Sequence, residues 1–159
     1  MKQTYIAGRL KLICIVFALA GLLFFLVFVP FFASRTVLAD AVYARIYIPG
    51  MFLAYTIGIL CYLILYQFWK VTIKIGQNHS FCLENVHAFL WMSRFSLAIS
   101  GLCLIFLLYT IVTDSIFPGA ILLTVILLLI GLALTILTSA LSHLIEHAYE
   151  LQQENDLTI

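Results

Sequence analysis

The sequence predicts an all-α integral membrane protein, a bundle of four membrane-spanning helices with both ends in the cytoplasm. Of its 159 residues, 65% are apolar and only 9% are charged, whereas an ordinary soluble domain is about 45–50% apolar and about 25% charged. The apolar residues fall into four long runs, and the positive charges gather at the connections that would lie on one side of a membrane. These observations predict a single membrane domain over 1–159.

The four apolar runs cover residues 12–32, 49–69, 95–112 and 120–142. A helix needs about 20 apolar residues to cross the hydrocarbon core, because each residue rises about 1.5 Å. Pro49 suits the first turn of the second helix, where its missing N–H would have no partner. The runs lack the apolar/polar alternation that the strands of a membrane barrel need. Four spanning helices are therefore expected.

The distribution of lysine and arginine predicts the orientation. Short loops rich in these residues stay in the cytoplasm, and six of the eight such residues lie in the N-terminal tail and in the loop 70–94. Both termini and this loop are therefore predicted to be cytoplasmic. The loop 33–48 is predicted to lie outside, with nothing in it that identifies a ligand.

The first run has one alternative interpretation, a cleaved secretory signal. Basic residues precede the run and Ala39-Asp40-Ala41 follows it, in the pattern of such a signal. However, the run exceeds the usual signal core of about 7–15 residues, and Arg35 lies between the run and the site. We therefore expect the first run to remain as a spanning helix.

Two helices are predicted to continue beyond the membrane on the cytoplasmic side. Residues 81–94 contain no Pro or Gly that would end a helix, and Ser80 can cap its start with a side-chain oxygen. Residues 143–153 follow the fourth run directly and are good helix formers. Helices three and four should therefore form a long hairpin, with a C-terminal extension over 143–159.

The four runs contain no Asp, Glu, Lys, Arg or His. Proton-coupled transporters and voltage sensors use ionisable side chains at membrane depth, so the sequence argues against those classes and leaves a passive pore open. Small or polar residues within the runs are expected to join helices of the same chain, with a homo-oligomer as the alternative. Examples are Tyr62 and the pairs Ala54/Gly58 and Ser96/Ser100.

The residues 143–147 fit the pattern H-x-x-E-H. On a helix, His143 and His147 share a face and can bind zinc, with Glu146 beside them as a base. A third ligand is then required, and it would have to come from Glu150, Glu84, His79 or His87. The four cysteines lack the close spacing of a metal site. We therefore predict no cofactor, no metal and no enzymatic activity, and keep the two histidines and Glu146 as metal candidates only.

An acidic stripe, Glu146, Glu150 and Glu154, ends the chain together with Asp156. Like charges four residues apart weaken a helix, and they are unfavourable at a helix C-terminus. Basic groups facing the stripe would relieve both effects. They could come from a partner protein or from the same chain, where the candidates are Lys70, Lys74, Arg94, Arg9 and Lys11.

Two stretches of the sequence look familiar: residues 75–86 read I-G-Q-N-H-S-F-C-L-E-N-V, and residues 148–159 read A-Y-E-L-Q-Q-E-N-D-L-T-I. The first is similar to the G-x-P-F-S-x-E-N-V loop, and the second closely resembles the A-x-E-L-Q-x-E-N-D-L-T-I terminus, of a family of small bacterial membrane proteins, domain of unknown function 2975. In the loop, His79-Ser80-Phe81 replaces the family's Pro-Phe-Ser. The resemblance implies a bacterial cell-membrane location and no assigned activity. It also implies a partner, because such proteins are often encoded beside a small helix-turn-helix regulator.

The leading functional prediction is a binding module that captures a cytoplasmic protein, such as a helix-turn-helix regulator, without touching nucleic acid itself. The alternative is a small transport, pore or immunity-type membrane protein, and a metal-dependent enzyme is the most remote reading. The residues predicted to dock the partner are Glu84, Asn85, Glu146, Glu150, Glu154 and Asp156.

Overall fold

The computed structural model describes residues 2–31, 34, 41–77, 82–114 and 118–157. The side chains at 2–6, 41–45 and 156–157 are not described. Four helices account for nearly all of these residues: α1 Lys2–Leu23, continued by a π-helical turn over Phe24–Phe28, then α2 Ala41–Gly76, α3 Leu83–Val112 and α4 Pro118–Leu157.

Each of the four helices is long and apolar enough to cross a membrane. The described part of the chain contains helix and turn and no strand. The predicted all-α class with four candidate spans is therefore confirmed. The fourth helix also continues far past the apolar run 120–142, as its helix-forming sequence predicts.

The predicted start and end of the second helix are wrong. Pro49 lies inside α2 rather than in its first turn, and α2 extends through Lys74 to Gly76, so the first part of the predicted loop 70–94 is helical. Hydropathy marks only the apolar part of a helix, whereas a helix continues through charged residues until its backbone is interrupted. Proline is tolerated within a membrane helix because neighbouring groups can satisfy the freed carbonyl.

The described residues that flank α3 show how this helix begins and ends. Cys82 has an extended backbone at the N-cap of α3 and makes no capping side-chain hydrogen bond. The predicted cap Ser80 lies outside the described residues, as do Ala39 and Asp40 of the alternative cleavage site. After α3, Asp114 adopts a positive φ of 50°, a conformation that Asp tolerates better than most residues.

The helices pack in chain order: α1 on α2, α2 on α3, and α3 on α4. Among the described residues, no Cα of α1 lies within 8 Å of a Cα of α4. Helix α3 is the most buried of the four, because it packs against α2 and also makes the most extensive helix contact of the molecule, with α4. Helix α1 lies at the edge, and most of its large apolar side chains are exposed to the surroundings.

Close approaches of small residues hold α1 against α2. The Tyr62 hydroxyl donates a hydrogen bond of 2.6 Å to the Ala18 carbonyl. A Cβ at Gly58 would lie 3.1 Å from the Phe25 ring, and one at Gly76 would lie 3.2 Å from the Ala7 Cβ. Gly58 therefore serves contact within the chain, as predicted, and α1 and α2 are antiparallel.

The seam between α3 and α4 is formed by small and polar residues. The Ser93 hydroxyl donates across it to the Thr135 carbonyl (3.1 Å). The Ser100 hydroxyl donates to the Ser96 carbonyl of its own helix (3.1 Å) and also lies 3.4 Å from the Leu128 carbonyl of α4. A Cβ at Gly131 would collide with the Ser100 hydroxyl. Small residues that let two backbones approach are how helices associate in lipid, so the predicted role of Ser100 in packing within the chain is confirmed.

Candidate functional site

Three helices meet at the end of the molecule where α2 ends and α3 begins. A buried apolar cluster joins α2, α3 and α4 there: Val71, Val86, Ala88, Phe89, Met92 and Ile145. The Ser142 hydroxyl donates a hydrogen bond of 3.1 Å to the Val86 carbonyl. Helix α4 is therefore fixed to the first turn of α3 as far as Ile145.

A shallow open pocket of about 350 Å³ lies at this end. Its lining residues are Lys74, Gln77, Cys82, Leu83, Glu84 and Tyr149. The Lys74 ammonium pairs with the Glu84 carboxylate across its mouth, and both side chains are partly exposed. Sequence reasoning singled out Glu84 but missed this pairing, because the contact depends on how α2 and α3 turn back on each other.

Asn85 does not lie on the surface to which it was assigned. Its side chain is only 2% exposed and has bonding partners within the chain. The residue before it, Glu84, has a side chain that is 68% exposed. Two adjacent residues can differ this much in exposure because successive side chains of a helix point about 100° apart. Asn85 therefore contributes to packing at the start of α3 and leaves the set of residues that a partner could touch.

Helix α4 projects beyond its neighbours. Tyr149 is the last α4 residue at the pocket beside α3, and every described side chain from 150 to 155 is exposed. The helix continues to Leu157, about two turns past Tyr149. Leu151 is 66% exposed in this segment. We name residues 150–157 the projecting end of α4.

The acidic stripe runs along this end of α4. The Glu146 carboxylate lies 3.5 Å from Nδ1 of His143, and the Glu150 carboxylate lies 3.4 Å from Nδ1 of His147. Of the cations predicted to face the stripe, Lys74 pairs with Glu84 instead. Within the part of the chain that the structure describes, Glu146 and Glu150 thus face histidines of their own helix rather than a lysine or arginine. The side chain of Asp156 lies outside the described residues.

The same geometry bears on the metal candidates. His143 and His147 are 69% and 79% exposed in their side chains, and each faces its own glutamate. Within the described ranges, no three His, Cys, Asp or Glu side chains are grouped so that they could hold a metal ion. Of the further ligands considered, His87 is exposed on α3, and His79 lies outside those ranges.

Residues 33–159 match a family model described as a protein of unknown function, DUF2975. The chain belongs to this family. In this DUF2975 protein the match covers α2, α3 and α4 and begins after α1. It includes both stretches that carried the resemblance, 75–86 and 148–159. No curated protein and no solved structure matches the chain.

Proposed function

We propose that this DUF2975 protein is a membrane-embedded binding module that captures a basic cytoplasmic protein on the projecting end of α4. The observation that carries the proposal is the projection itself. Packing with α3 ends near Tyr149, yet the helix continues to Leu157, and every described side chain from 150 to 155 is exposed. A partner that packs against this segment would stabilise the helix that nothing else in the described chain covers.

Charge supports a basic partner. The stripe brings carboxylates to the C-terminal end of a helix, where the macrodipole already places negative charge. Among the described side chains, Glu146 and Glu150 lie beside histidines of their own helix rather than beside a lysine or arginine. Positive groups on a partner would offset the repulsion among the carboxylates and their unfavourable position at the negative end of the helix dipole. The exposed Leu151 lies beside the stripe and offers an apolar contact next to the charges.

A helix-turn-helix regulator has the required chemistry, because proteins that bind DNA carry basic surfaces that neutralise phosphates. The family resemblance points to the same class of partner. Capture at the membrane would lower the amount of regulator available to DNA. The lysines and arginines of the tail and of 70–94 support placing this end of the protein in the cytoplasm, in the cell membrane of a bacterium. The proposed role is binding, with no catalytic step.

The proposal is tested by neutralising the stripe with E146Q, E150Q and E154Q in one full-length chain. The protein and the helix-turn-helix regulator encoded beside it are co-expressed and purified in mild detergent. Each exposed ion pair contributes about 0.2–1 kcal/mol, so three lost pairs should reduce the affinity for the regulator by about threefold or more. Capture should also weaken as salt is raised, because exposed charges are screened.

The matched control neutralises Asp114 at the turn between α3 and α4, at the opposite end of the helices. Asn tolerates the positive φ of this position as Asp does, so D114N changes one carboxylate without straining the turn. Capture by D114N should equal that of the unmodified protein. If the triple variant captures as much regulator as D114N does, the acidic end is not the docking surface.

A further inference from the structure

Two cations of this protein lie over exposed aromatic rings. The Lys70 Nζ is 4.6 Å from the centre of the Tyr66 ring, and the Arg94 Cζ is 5.1 Å from the centre of the Trp91 ring. Both cations are exposed, and so are the rings, at 55% for Tyr66 and 45% for Trp91. Such cation–aromatic contacts hold a charged head in place without neutralising it.

The two rings lie at the same depth. Lys74 pairs with Glu84 at one end of the α2–α3 contact, and Gly50 lies against the Phe106 ring towards the other. These contacts fix an antiparallel register that sets Tyr66 level with Trp91. Helix side chains lean towards the N-terminus of their own helix. Because α2 and α3 run in opposite directions, Lys70 and Arg94 lean towards this common level from opposite sides.

Lys70 and Trp91 lie on one side of the α2–α3 contact. Lys70 precedes Lys74 by one turn, so these two side chains share a face of α2. Trp91 follows Glu84 by two turns, so these two share a face of α3. The ion pair between Lys74 and Glu84 therefore shows that both faces open to the same side.

This depth corresponds to a membrane surface. Lys70 directly follows the apolar run 49–69, and Arg94 directly precedes the run 95–112. Trp and Tyr are enriched where the hydrocarbon core meets the headgroups. Among the described residues, ion pairs are formed by Lys74, His143 and His147, and no carboxylate lies within 4 Å of the charged group of Lys70 or Arg94. The two cations therefore face the layer that contains lipid phosphates.

We infer that Lys70 and Arg94, carried on the Tyr66 and Trp91 rings, each bind the phosphate of an anionic phospholipid headgroup. Charge complementarity favours this occupant: a guanidinium binds phosphate oxygens in a fork, and an ammonium binds them as a compact positive charge. Basic groups at the membrane surface attract anionic headgroups in this way. The site lies on the open side of α2 and α3 and does not depend on the projecting end of α4.

Trp91 reports directly on the lipid beside this site. The W69F protein, in which Trp91 is the sole tryptophan, is reconstituted in phosphatidylcholine vesicles that contain a minor fraction of phosphatidylglycerol with brominated chains. Bromine quenches tryptophan fluorescence at contact. We expect quenching to exceed the lipid's share of the bilayer, with a preference on the order of tenfold for two charges. The same fraction of brominated phosphatidylcholine should quench only in proportion to its share.

Two double variants and one competing ion show which side chains cause any preference for phosphatidylglycerol over phosphatidylcholine. K70Q/R94Q should lower quenching by phosphatidylglycerol to its bulk share, whereas R9Q/K11Q, which removes two charges from α1 instead, should keep the preference. Excess inorganic phosphate should not displace the lipid. Three results would each overturn the inference. They are displacement of the lipid by inorganic phosphate, equal quenching in the two double variants, and quenching in W69F itself that only matches the share of phosphatidylglycerol in the bilayer. A Trp91 shielded from both lipids would also overturn the inference, because a second protein chain would then cover this face.

Discussion

A chain that ends at Ala148 is expected to lose capture of the helix-turn-helix regulator entirely while it still folds in the membrane. The truncation removes the projecting end of α4 with Glu150, Leu151 and Glu154. It leaves Ser142 bonded to the Val86 carbonyl and Ile145 in the buried cluster, so the contact of α4 with α3 persists. Loss of a single exposed side chain usually changes the free energy of unfolding by about 0.5 kcal/mol or less, and the removed side chains from 150 to 155 are exposed. Co-purification and thermal unfolding in the same detergent measure the two effects separately.

A chain that ends at Asn155 is the matched control for this truncation. It removes the last four residues of the family-like terminus but keeps Glu150, Leu151 and Glu154 on the helix. It should retain most of the capture, because the exposed face that carries the proposal is still present. Loss of capture already in this longer chain would assign recognition to the final four residues. Full capture by the chain that ends at Ala148 would contradict the docking proposal.

Replacement of Gly131 by leucine is expected to be the most destabilising change in the membrane part of the molecule. A Cβ at this position collides with the Ser100 hydroxyl and lies 3.3 Å from the Ser96 carbonyl oxygen. The hydroxyl can rotate away, whereas the backbone carbonyl of a helix cannot. Overpacking of this kind costs about 1–3 kcal/mol, which for a chain of this size lowers the melting temperature by about 2–12 °C.

Gly101 provides the control in the same helix hairpin. A Cβ there meets nothing within 4 Å, so G101L adds the same side chain on an exposed face of α3. Its melting temperature in detergent should match that of the unmodified protein. If the melting temperatures of G101L and G131L fall equally, the loss of stability arises from removal of a glycine rather than from separation of α3 and α4.

The sequence predicted the number and type of helices because lipid imposes a simple requirement: a long apolar run must be helical. It placed their ends less well for the same reason. Lys70 and Lys74 interrupt the apolar run but do not interrupt the helix, which continues to Gly76. Pro49 looked like a helix start because proline is common there, yet it lies eight residues inside α2.

The candidate site was predictable only where one helix determines it. The acidic stripe follows from the spacing of Glu146, Glu150 and Glu154 on α4, and its exposure agrees with that spacing. The pairing of Lys74 with Glu84 and the common depth of Tyr66 and Trp91 depend on the register between two helices. Nothing in the local sequence encodes that register, since it arises from packing such as Gly50 against Phe106.

The sidedness of the membrane is the claim on which the proposed function depends most directly. Reporter fusions after Ile159, within 77–82 and within 114–118 test it, using green fluorescent protein, which fluoresces in the cytoplasm, and alkaline phosphatase, which is active only outside it. We predict fluorescence at the first two positions and phosphatase activity at the third. Phosphatase activity after Ile159 would place the acidic end of α4 outside the cytoplasm and would contradict the proposed capture of a cytoplasmic regulator.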